Sequence, residues 1–460
     1  MALKTKACYM VKPSEPTWKG YQFLSEWDQT GTITHVPTIY FYRPPEDWVK
    51  LGDKIAAIVK QSLSRALVPF YPLAGRLRRL PGHRLELNCN AEGVEFVEAE
   101  SNLNLDELGD LSRSSEYYYD LHLSPLVDYT RPIHELPLLI VQLTRFACGG
   151  FSLGLSISHA VVDGPSALHF LSEWAGLSRG EPLKTMPFLD REILRGDDDV
   201  SFGELSCLDH CDFDHLPLLI GQSDNLEEKK KDVTPAFLNV TKEQLEKLKK
   251  LANAGRARGT RPYSRYEMLA GHIWRCACKA RKHMAEQRTA LAICVDVRSR
   301  IEPPLPSAYF GNASFDVKAV CSSGELLVCS LGFASSRIRE AVEKVTNDYI
   351  WSNLKYLKSQ KDLSMFQDLH GEESSTDNKE LFYGNPNLGV VSWLRLPLHD
   401  LDFGWGKEVA MSLDTYDTDF DGDFVLLQNP SGEDGSLIVS VRLQVPHMDS
   451  FKKHFYADII

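Results

Sequence analysis

The stretch FSLGLSISHAVVD, residues 151–163, constrains the fold of this chain more than any other. Its first half alternates apolar and small residues, which is the period-two pattern of a half-buried strand. His159 comes next, on the apolar side of that alternation, and Asp163 follows across a turn closed by Gly164. Apolar residues then recur at helical spacing over 167–175. The sequence therefore predicts a strand, a histidine at its end, a tight turn and a helix, an arrangement that holds one base on a rigid edge.

The chain as a whole is predicted to be an α/β protein of two lobes. Its 460 residues exceed what a single core usually fills, and strand-like and helix-like segments alternate in both halves. We expect a first lobe over residues 1–195, a crossover over 196–235 where periodicity is lost, and a second lobe over 236–460. An early strand is expected over 34–42, near the edge of its sheet because it contains Pro37.

Composition and charge exclude several classes of protein. Hydrophobic residues make up 43% and charged residues 25% of the chain, which is ordinary for a soluble globular enzyme, and the sequence has no apolar run of the ~20 residues that a membrane span needs. The N-terminus lacks the apolar core of a signal peptide, and the ten cysteines have no framework spacing, so we expect a cytoplasmic protein with reduced thiols. The net charge of -12 argues against a nucleic-acid partner and mildly favours a cationic one. No membrane partner is expected.

Three motifs in this order identify a family. They are His159-x-x-x-Asp163-Gly164, then YFGN at 309–312, then DFGWG at 402–406. Together they resemble the BAHD family of plant acyl-CoA-dependent acyltransferases, and the resemblance runs nearly end to end. It implies two chloramphenicol-acetyltransferase-like lobes with a channel between them, acyl-CoA as co-substrate, no cofactor, and a monomer. The stretches LSEWDQTGTITH, LNCNAEGVEF and GHIWRCACKAR are most similar to the spermidine hydroxycinnamoyl transferases of that family.

His159 is the candidate catalytic base. Acyl transfer from a thioester to an amine or hydroxyl needs a group that takes the acceptor proton and has a pKa near neutrality. Burial at a strand end would lower the pKa of the imidazole and keep it neutral. A lone histidine on an apolar face is more often a satisfied core residue, and the flanking motifs favour the catalytic interpretation. By resemblance, Asp163 points away from substrate and pairs with Arg298, which fixes the turn that carries His159; direct catalysis by Asp163 is the alternative.

The DFGWG segment is expected to have a structural role. By resemblance it lies away from the reacting atoms and shapes the contact between lobes on the CoA side. Gly404 and Gly406 would permit backbone turns that a β-carbon obstructs, and Trp405 would pack between the lobes. Asp402 has a second interpretation in the family, as a further proton acceptor, and we favour structural support.

Two features are candidates for binding the phosphates of CoA. One is the N-terminus predicted for the helix that follows Ser264, where free amides and the helix dipole favour anions. The other is a basic loop that contains Arg256, Arg258 and Arg261. A solvated surface loop is an equally good interpretation of those arginines.

The acceptor is predicted to be spermidine, acylated on nitrogen by a hydroxycinnamoyl group. Shikimate-using relatives have an arginine that binds the acceptor carboxylate, and the matching position here is about Asn378. Where those relatives have a pocket leucine, this chain has Asp423, in a segment rich in aspartate. An acceptor pocket that lacks the arginine and has an added carboxylate favours a polyamine acceptor over an acidic one. The resemblance implies that the acceptor channel is lined by His35, Thr38, Tyr40 and Trp393. The alternatives are O-acylation of shikimate or quinate, and aspartates that merely form a solvated turn.

Other motifs are judged accidental. Residues 150–154 match the GxSxG nucleophile elbow of serine hydrolases, but Ser152 begins a predicted strand instead of standing on a strand-to-helix turn. Cysteine and histidine clusters at 207–215 and 272–283 resemble ligand sets, but we predict no metal. A catalytically silent binding protein of this fold is the remaining class, and intact His159 and Arg298 argue against it.

Overall fold

Strands of two large sheets account for most of the β-structure. The computed structural model describes residues 3–44, 54–113, 121–195, 211–213, 216–368, 384–414, 420–429 and 435–459. In chain order the strands within these ranges are β1 (Leu3–Val11), β2 (Gly20–Phe23), β3 (Gly31–Thr32), β4 (His35–Tyr42), β5 (Arg76–Arg79), β6 (Leu85–Cys89), β7 (Val94–Ser101), β8 (Leu139–Arg145), β9 (Phe151–Ser158), β10 (Val233–Val240), β11 (Arg288–Asp296), β12 (Ser314–Ser322), β13 (Gln367–Asp368), β14 (Leu388–Ser392), β15 (Ala410–Leu413), β16 (Asp423–Gln428) and β17 (Leu437–Gln444).

The α-helices pack against these sheets. In chain order the helices in the described ranges are α1 (Ile55–Ala66), α2 (Gly164–Ser178), α3 (Leu226–Lys229), α4 (Lys242–Asn253), α5 (Arg265–Ala280), α6 (Ser323–Val328), α7 (Leu331–Glu343), α8 (Asn347–Ser359) and α9 (Val445–Ala457). α4 and α5 each begin with a capping box, Thr241 with Gln244 in α4 and Ser264 with Glu267 in α5. Across the described ranges, no helix is both long and apolar enough to cross a bilayer.

The two large sheets each have a hydrophobic core. The first sheet has the order β1-β7-β8-β9-β4-β15, and the second has the order β10-β17-β16-β14-β11-β12. α1 and α2 pack together beside the first sheet, while α5 lies in the centre of the second core, against α4, α7 and α9. This two-lobed α/β architecture confirms the predicted fold class.

One strand joins the lobes in a way that the sequence does not announce. β15 comes late in the chain, yet it pairs antiparallel with β4 of the first sheet, with Ala410 opposite Phe41 and Leu413 opposite Thr38. β4 therefore has β9 on one side and β15 on the other. β4 is the penultimate strand of its sheet, which confirms the expectation that Pro37 lies in a strand near a sheet edge, and a distant segment covers the side that the local sequence would leave open.

Candidate active site

His159 lies directly after the last residue of β9. Its backbone N–H donates to Thr34 O at 2.8 Å, which ties the histidine to the start of β4. The imidazole is partly buried. Burial lowers the pKa of His159 below the ordinary histidine value, while the carboxylates of Asp163 and Asp28 and the Asn312 side chain act in the opposite direction. The strand, the histidine, the turn and the helix α2 lie where the sequence predicts them, and the lowered pKa of His159 favours the neutral imidazole.

Asp163 forms a buried ion pair with Arg298. The two guanidinium nitrogens lie 2.7 and 2.8 Å from the two carboxylate oxygens, a bidentate arrangement, and the Asp163 side chain is 3% exposed. The carboxylate also accepts from the backbone N–H of Ser166, which caps helix α2, and from Ala313 N–H. Burial alone would raise the pKa of Asp163, but Arg298 and these N–H groups lower it overall. The hydrogen bonds of the Asp163 carboxylate to Arg298, Ser166 and Ala313 therefore hold the turn in place.

The YFGN segment is hydrogen-bonded to the same turn. Ser166 Oγ accepts from Gly311 N–H at 3.1 Å and lies 2.9 Å from Gly311 O. The Asn312 side-chain amide donates to the carbonyl oxygen of His159 at 2.7 Å. Sequence reasoning used YFGN only as a family marker and missed both contacts. The motifs YFGN and His159-x-x-x-Asp163-Gly164 occur together in the sequence, which is a signal that they act together. Their contacts involve backbone atoms, however, and no pattern of residue types specifies those.

The DFGWG loop packs on the first sheet. Asp402 Oδ1 accepts from the backbone N–H groups of Gly404 and Gly406, at 2.7 and 3.0 Å, so its carboxylate is used within its own loop. Both glycines have positive φ angles, +111° and +103°, a backbone conformation that disfavours a β-carbon. The Trp405 ring packs edge-on against Phe151, with centroids 5.4 Å apart. These contacts support the structural role predicted for Asp402.

The residues predicted to bind CoA lie near the N-terminus of α5, but most have protein partners. Ser264 is the N-cap of α5, and its hydroxyl accepts from the N–H of Glu267. Arg261 pairs with the Glu267 carboxylate at 2.9 Å, and Arg256 donates to Thr260 Oγ1 at 3.2 Å, while Arg258 is exposed. A negative charge therefore already occupies the N-terminus that was predicted to receive a phosphate.

A cavity beside that helix has three cationic side chains that sequence reasoning missed. It has a volume of about 300 Å³ and is lined by Lys242, Glu246 and Lys249 of α4 and by Arg265, the first residue of α5. Lys249 Nζ lies 3.5 Å from Glu246 Oε1. Tyr263 and Met268 contribute apolar surface. The two lysines lie on the charged face of an amphipathic helix. The local sequence therefore does not distinguish them from ordinary solvent-exposed lysines.

The predicted acceptor residues do not all share one surface. Thr38 and Tyr40 lie on one face of β4, and Trp393 packs against the core that contains Tyr40. His35 is an odd number of residues from both, so strand alternation places it on the opposite face. There its Nε2 lies 2.8 Å from Pro137 O and its Nδ1 lies 3.1 Å from the Tyr129 hydroxyl. The structure therefore separates His35 from the other predicted acceptor residues.

Asp423, the first residue of β16, is paired with a cation. Its Oδ2 accepts from Arg442 Nη1 at 3.1 Å, and Arg442 Nη2 donates to the carbonyl oxygen of Asp414 at 3.1 Å. Asp421 likewise pairs with Arg281 at 2.8 Å. Asp414, Asp421 and Asp423 are thus buried and hydrogen-bonded to protein groups instead of solvated. The remaining aspartates at 417 and 419, and the position of Asn378, lie outside the described residues.

The structure does not form the serine nucleophile elbow. Ser152 is fully buried within β9, between strands β8 and β4, so no strand-to-helix turn presents its hydroxyl. Among the described residues, His272, Cys276 and Asp458 lie close enough together to share a metal ion. His272 Nε2 is 2.8 Å from Phe455 O, Asp458 accepts from Lys279 at 2.8 Å, and burial raises the pKa of the Cys276 thiol. These contacts satisfy the cluster as ordinary packing.

The fold and the His159 motif define an acyl-CoA-dependent acyltransferase with two lobes. A model of the Transferase family matches residues 1–458. The chain therefore belongs to this family, the BAHD acyltransferases, whose reaction uses a CoA thioester as co-substrate and needs no separate cofactor.

Named relatives and a solved structure agree with this placement. The chain is 44% identical to hydroxycinnamoyl-CoA:piscidic acid hydroxycinnamoyltransferase of Actaea racemosa, over 99% of each chain. It is 35% identical to hydroxycinnamoyl-CoA:5-hydroxyanthranilate N-hydroxycinnamoyltransferase of Avena sativa, over 98% of this chain and 99% of the relative. The crystal structure of vinorine synthase matches its fold with a TM-score of 0.70 and 23% identity, over 99% of this chain and 98% of that one.

Proposed function

We propose that this chain transfers a hydroxycinnamoyl group from its CoA thioester to an amino group of spermidine. The acyl donor is supported by relatives at 35% and 44% identity that are named for hydroxycinnamoyl-CoA. The observation that carries the chemistry is the partly buried His159, whose pKa is lowered by burial and whose turn is held by the Asp163–Arg298 pair. A neutral imidazole on a rigid support is the group that such a reaction needs.

The proposed reaction is a direct attack within a ternary complex. Neutral His159 takes the proton from the acceptor nitrogen as that nitrogen adds to the thioester carbonyl carbon. The tetrahedral intermediate collapses with cleavage of the carbon–sulfur bond, and the histidinium gives its proton to the departing CoA thiolate. Asp163 keeps its ion pair throughout, and the reaction requires no covalent acyl-enzyme.

We place the CoA phosphates in the cavity lined by Lys242, Lys249 and Arg265. Three positive side chains and the single carboxylate of Glu246 line a common space of about 300 Å³, while the nearby N-terminus of α5 is occupied by the Glu267 carboxylate. A phosphate in the cavity would gain charge-assisted hydrogen bonds. Arg256, Arg258 and Arg261 remain candidates for an outer contact with the nucleotide.

Replacing Lys249 by alanine is expected to raise the KM for hydroxycinnamoyl-CoA about fivefold, the loss of ~1 kcal/mol from one exposed ionic contact. The KM for the acceptor should stay unchanged. Lys250→Ala is the matched control, because Lys250 is an exposed lysine on the same helix and does not line the cavity. Initial-rate measurements of CoA thiol release give both constants. Equal effects of the two variants would remove the cavity from the CoA site.

The polyamine acceptor is supported by the carboxylates near the end of β15 and the start of β16. Arg442 bridges the Asp423 carboxylate and the main-chain carbonyl oxygen of Asp414, and Leu413 pairs with Thr38, so both aspartates lie beside predicted acceptor residues of β4. The Asp414 and Asp423 side chains are both buried. Carboxylates at this position favour a cationic acceptor over an anionic one.

A hydroxy acid such as shikimate or quinate is the second candidate acceptor. Two observations favour it. The Asp423–Arg442 pair reduces the charge available to an ammonium group, and one relative is named for piscidic acid. The oat relative, named as an N-transferase acting on an anthranilate, is compatible with attack by nitrogen. Thiol release with p-coumaroyl-, caffeoyl- and feruloyl-CoA against spermidine, putrescine, shikimate and quinate separates the two candidates.

Replacing Asp423 by asparagine is expected to raise the KM for spermidine about tenfold, equivalent to ~1.4 kcal/mol, without changing the KM for the acyl-CoA. Asparagine keeps an oxygen for Arg442 and removes only the charge. Asp421→Asn is the control, because it breaks a similar buried pair, with Arg281. A folded Asp423→Asn variant with unchanged spermidine kinetics, or a wild type that acylates shikimate faster than any polyamine, would refute the polyamine assignment.

A further inference from the structure

A second buried ion pair lies beside the catalytic turn. Asp28, in the loop between β2 and β3, and Arg191 lie 2.8 Å apart, and their side chains are 0% and 1% exposed. A buried pair of this kind pays a large desolvation cost, so it does not by itself explain stability. Its contacts point to another purpose.

Both members of the pair are connected by hydrogen bonds to backbone carbonyls of the turn that contains His159, Arg191 directly and Asp28 through Asn312. Asp28 Oδ1 accepts from the backbone N–H of Asn312 at 2.8 Å and from the Asn312 side-chain amide at 2.9 Å. The same amide nitrogen donates to the carbonyl oxygen of His159 at 2.7 Å. Arg191 Nη2 donates to the carbonyl oxygen of Val161 at 2.6 Å. The pair therefore holds the turn through groups other than those that Asp163 and Arg298 contact.

The Asp28 carboxylate also fixes which way the Asn312 side chain points. One amide N–H goes to the carboxylate and the other to the His159 carbonyl, so both amide hydrogens are used on acceptors. The reversed amide would direct its oxygen at a carboxylate and a carbonyl, two groups that only accept. The charge on Asp28 thus selects the orientation that binds His159.

We infer that Asp28 is a positioning residue for His159, which it holds in register through Asn312. The inference rests on the proposed use of His159 as the base. The negative charge of Asp28 also lies near enough to stabilise the histidinium that forms when the acceptor proton is taken. Asp163 supplies a second negative charge, while Arg298 and Arg191 are the cations that pair with these two carboxylates.

Replacing Asn312 by alanine tests the inference without breaking the ion pair. The variant removes the bond to His159 O and leaves Asp28 against Arg191. We expect kcat to fall about 30-fold while the KM for the acyl-CoA changes by less than about threefold, because a misplaced base affects the chemical step and not the binding of CoA. Ser25→Ala is the matched control, because the Ser25 hydroxyl bonds the other oxygen of Asp28 at 2.8 Å, away from the turn. It should keep kcat within about twofold.

Asp28→Asn adds a readout that a purely structural role would not change. Loss of the negative charge should move the acid limb of the pH profile of kcat/KM to lower pH, since one group that raises the His159 pKa is removed. Equal kcat losses in Asn312→Ala and Ser25→Ala, together with a large kcat loss in His159→Ala, would overturn the positioning role alone. Retained activity in His159→Ala would overturn the proposed function itself. If Asp28→Asn does not fold, the comparison of Asn312→Ala with Ser25→Ala decides the question.

Discussion

Replacing His159 by alanine is expected to lower kcat at least about 100-fold, the usual contribution of a general base. The reason is geometric as well as chemical: the imidazole lies at the end of β9, partly buried, with a lowered pKa that keeps it neutral. The KM values should change much less, because the base is needed to take the proton and not to bind either substrate. Thiol release under saturating substrates measures the effect.

The pH profile supplies an internal check on this prediction. Because burial lowers the pKa of His159, the acid limb of kcat/KM should fall below the ordinary histidine value of about 6.5. His169→Ala is the control, since that histidine is on α2 and its contacts are with Thr185 O and the Phe70 ring. Activity of His159→Ala within a few-fold of the wild type would remove this residue from the mechanism.

Replacing Asp163 by asparagine is expected to destabilise the fold by ~3–5 kcal/mol, the effect of leaving one buried charge without its partner. Arg298 would lose a bidentate carboxylate, and α2 would lose a charged cap. The midpoint of urea unfolding, followed by tryptophan fluorescence, measures the loss. Turnover should fall together with stability, because the turn that carries His159 is no longer fixed.

Asp296→Asn is the matched control for that variant. Asp296 contacts the same guanidinium at 3.4 Å but is 55% exposed, so its loss should cost under ~1 kcal/mol. Because the folded-state pKa of Asp163 is depressed, its contribution is present above the unfolded value of ~3.9 and is lost as pH falls through the folded pKa. The stability difference between Asp163→Asn and the wild type should therefore shrink in acid. A well-folded Asp163→Asn variant that lost only the chemical step would instead assign Asp163 to catalysis.

Local features of the site were predictable because they are encoded within a few residues. The strand β9, the histidine at its end and the helix α2 follow from alternation and spacing alone, and both capping boxes follow from residues three apart. Each of these depends on contacts between neighbours in sequence. They are the part of the structure for which the pattern of residue types is sufficient.

Long-range pairing was the part that sequence could not supply. Nothing near Asp423 indicates that Arg442 lies opposite it, because the contact depends on the register between β16 and β17. Strand alternation alone places His35 and Thr38 on opposite faces of β4. Which of these two faces lies toward the second lobe depends on how the lobes pack, and the sequence does not specify that packing. The cavity between α4 and α5 likewise forms from two helices whose relative placement is set by the core beneath them.

The position of β15 late in the sequence determines when the first sheet can be completed during synthesis. The open side of β4 stays uncovered until residues 410–413 have been synthesised, which is almost the whole length of the chain. A nascent first lobe therefore leaves the ribosome with an unpaired strand edge, a surface on which other chains can add. It cannot complete its sheet as an independent folding unit. Shortened versions that end before residue 410 would therefore have an exposed strand edge on β4 in place of a complete sheet.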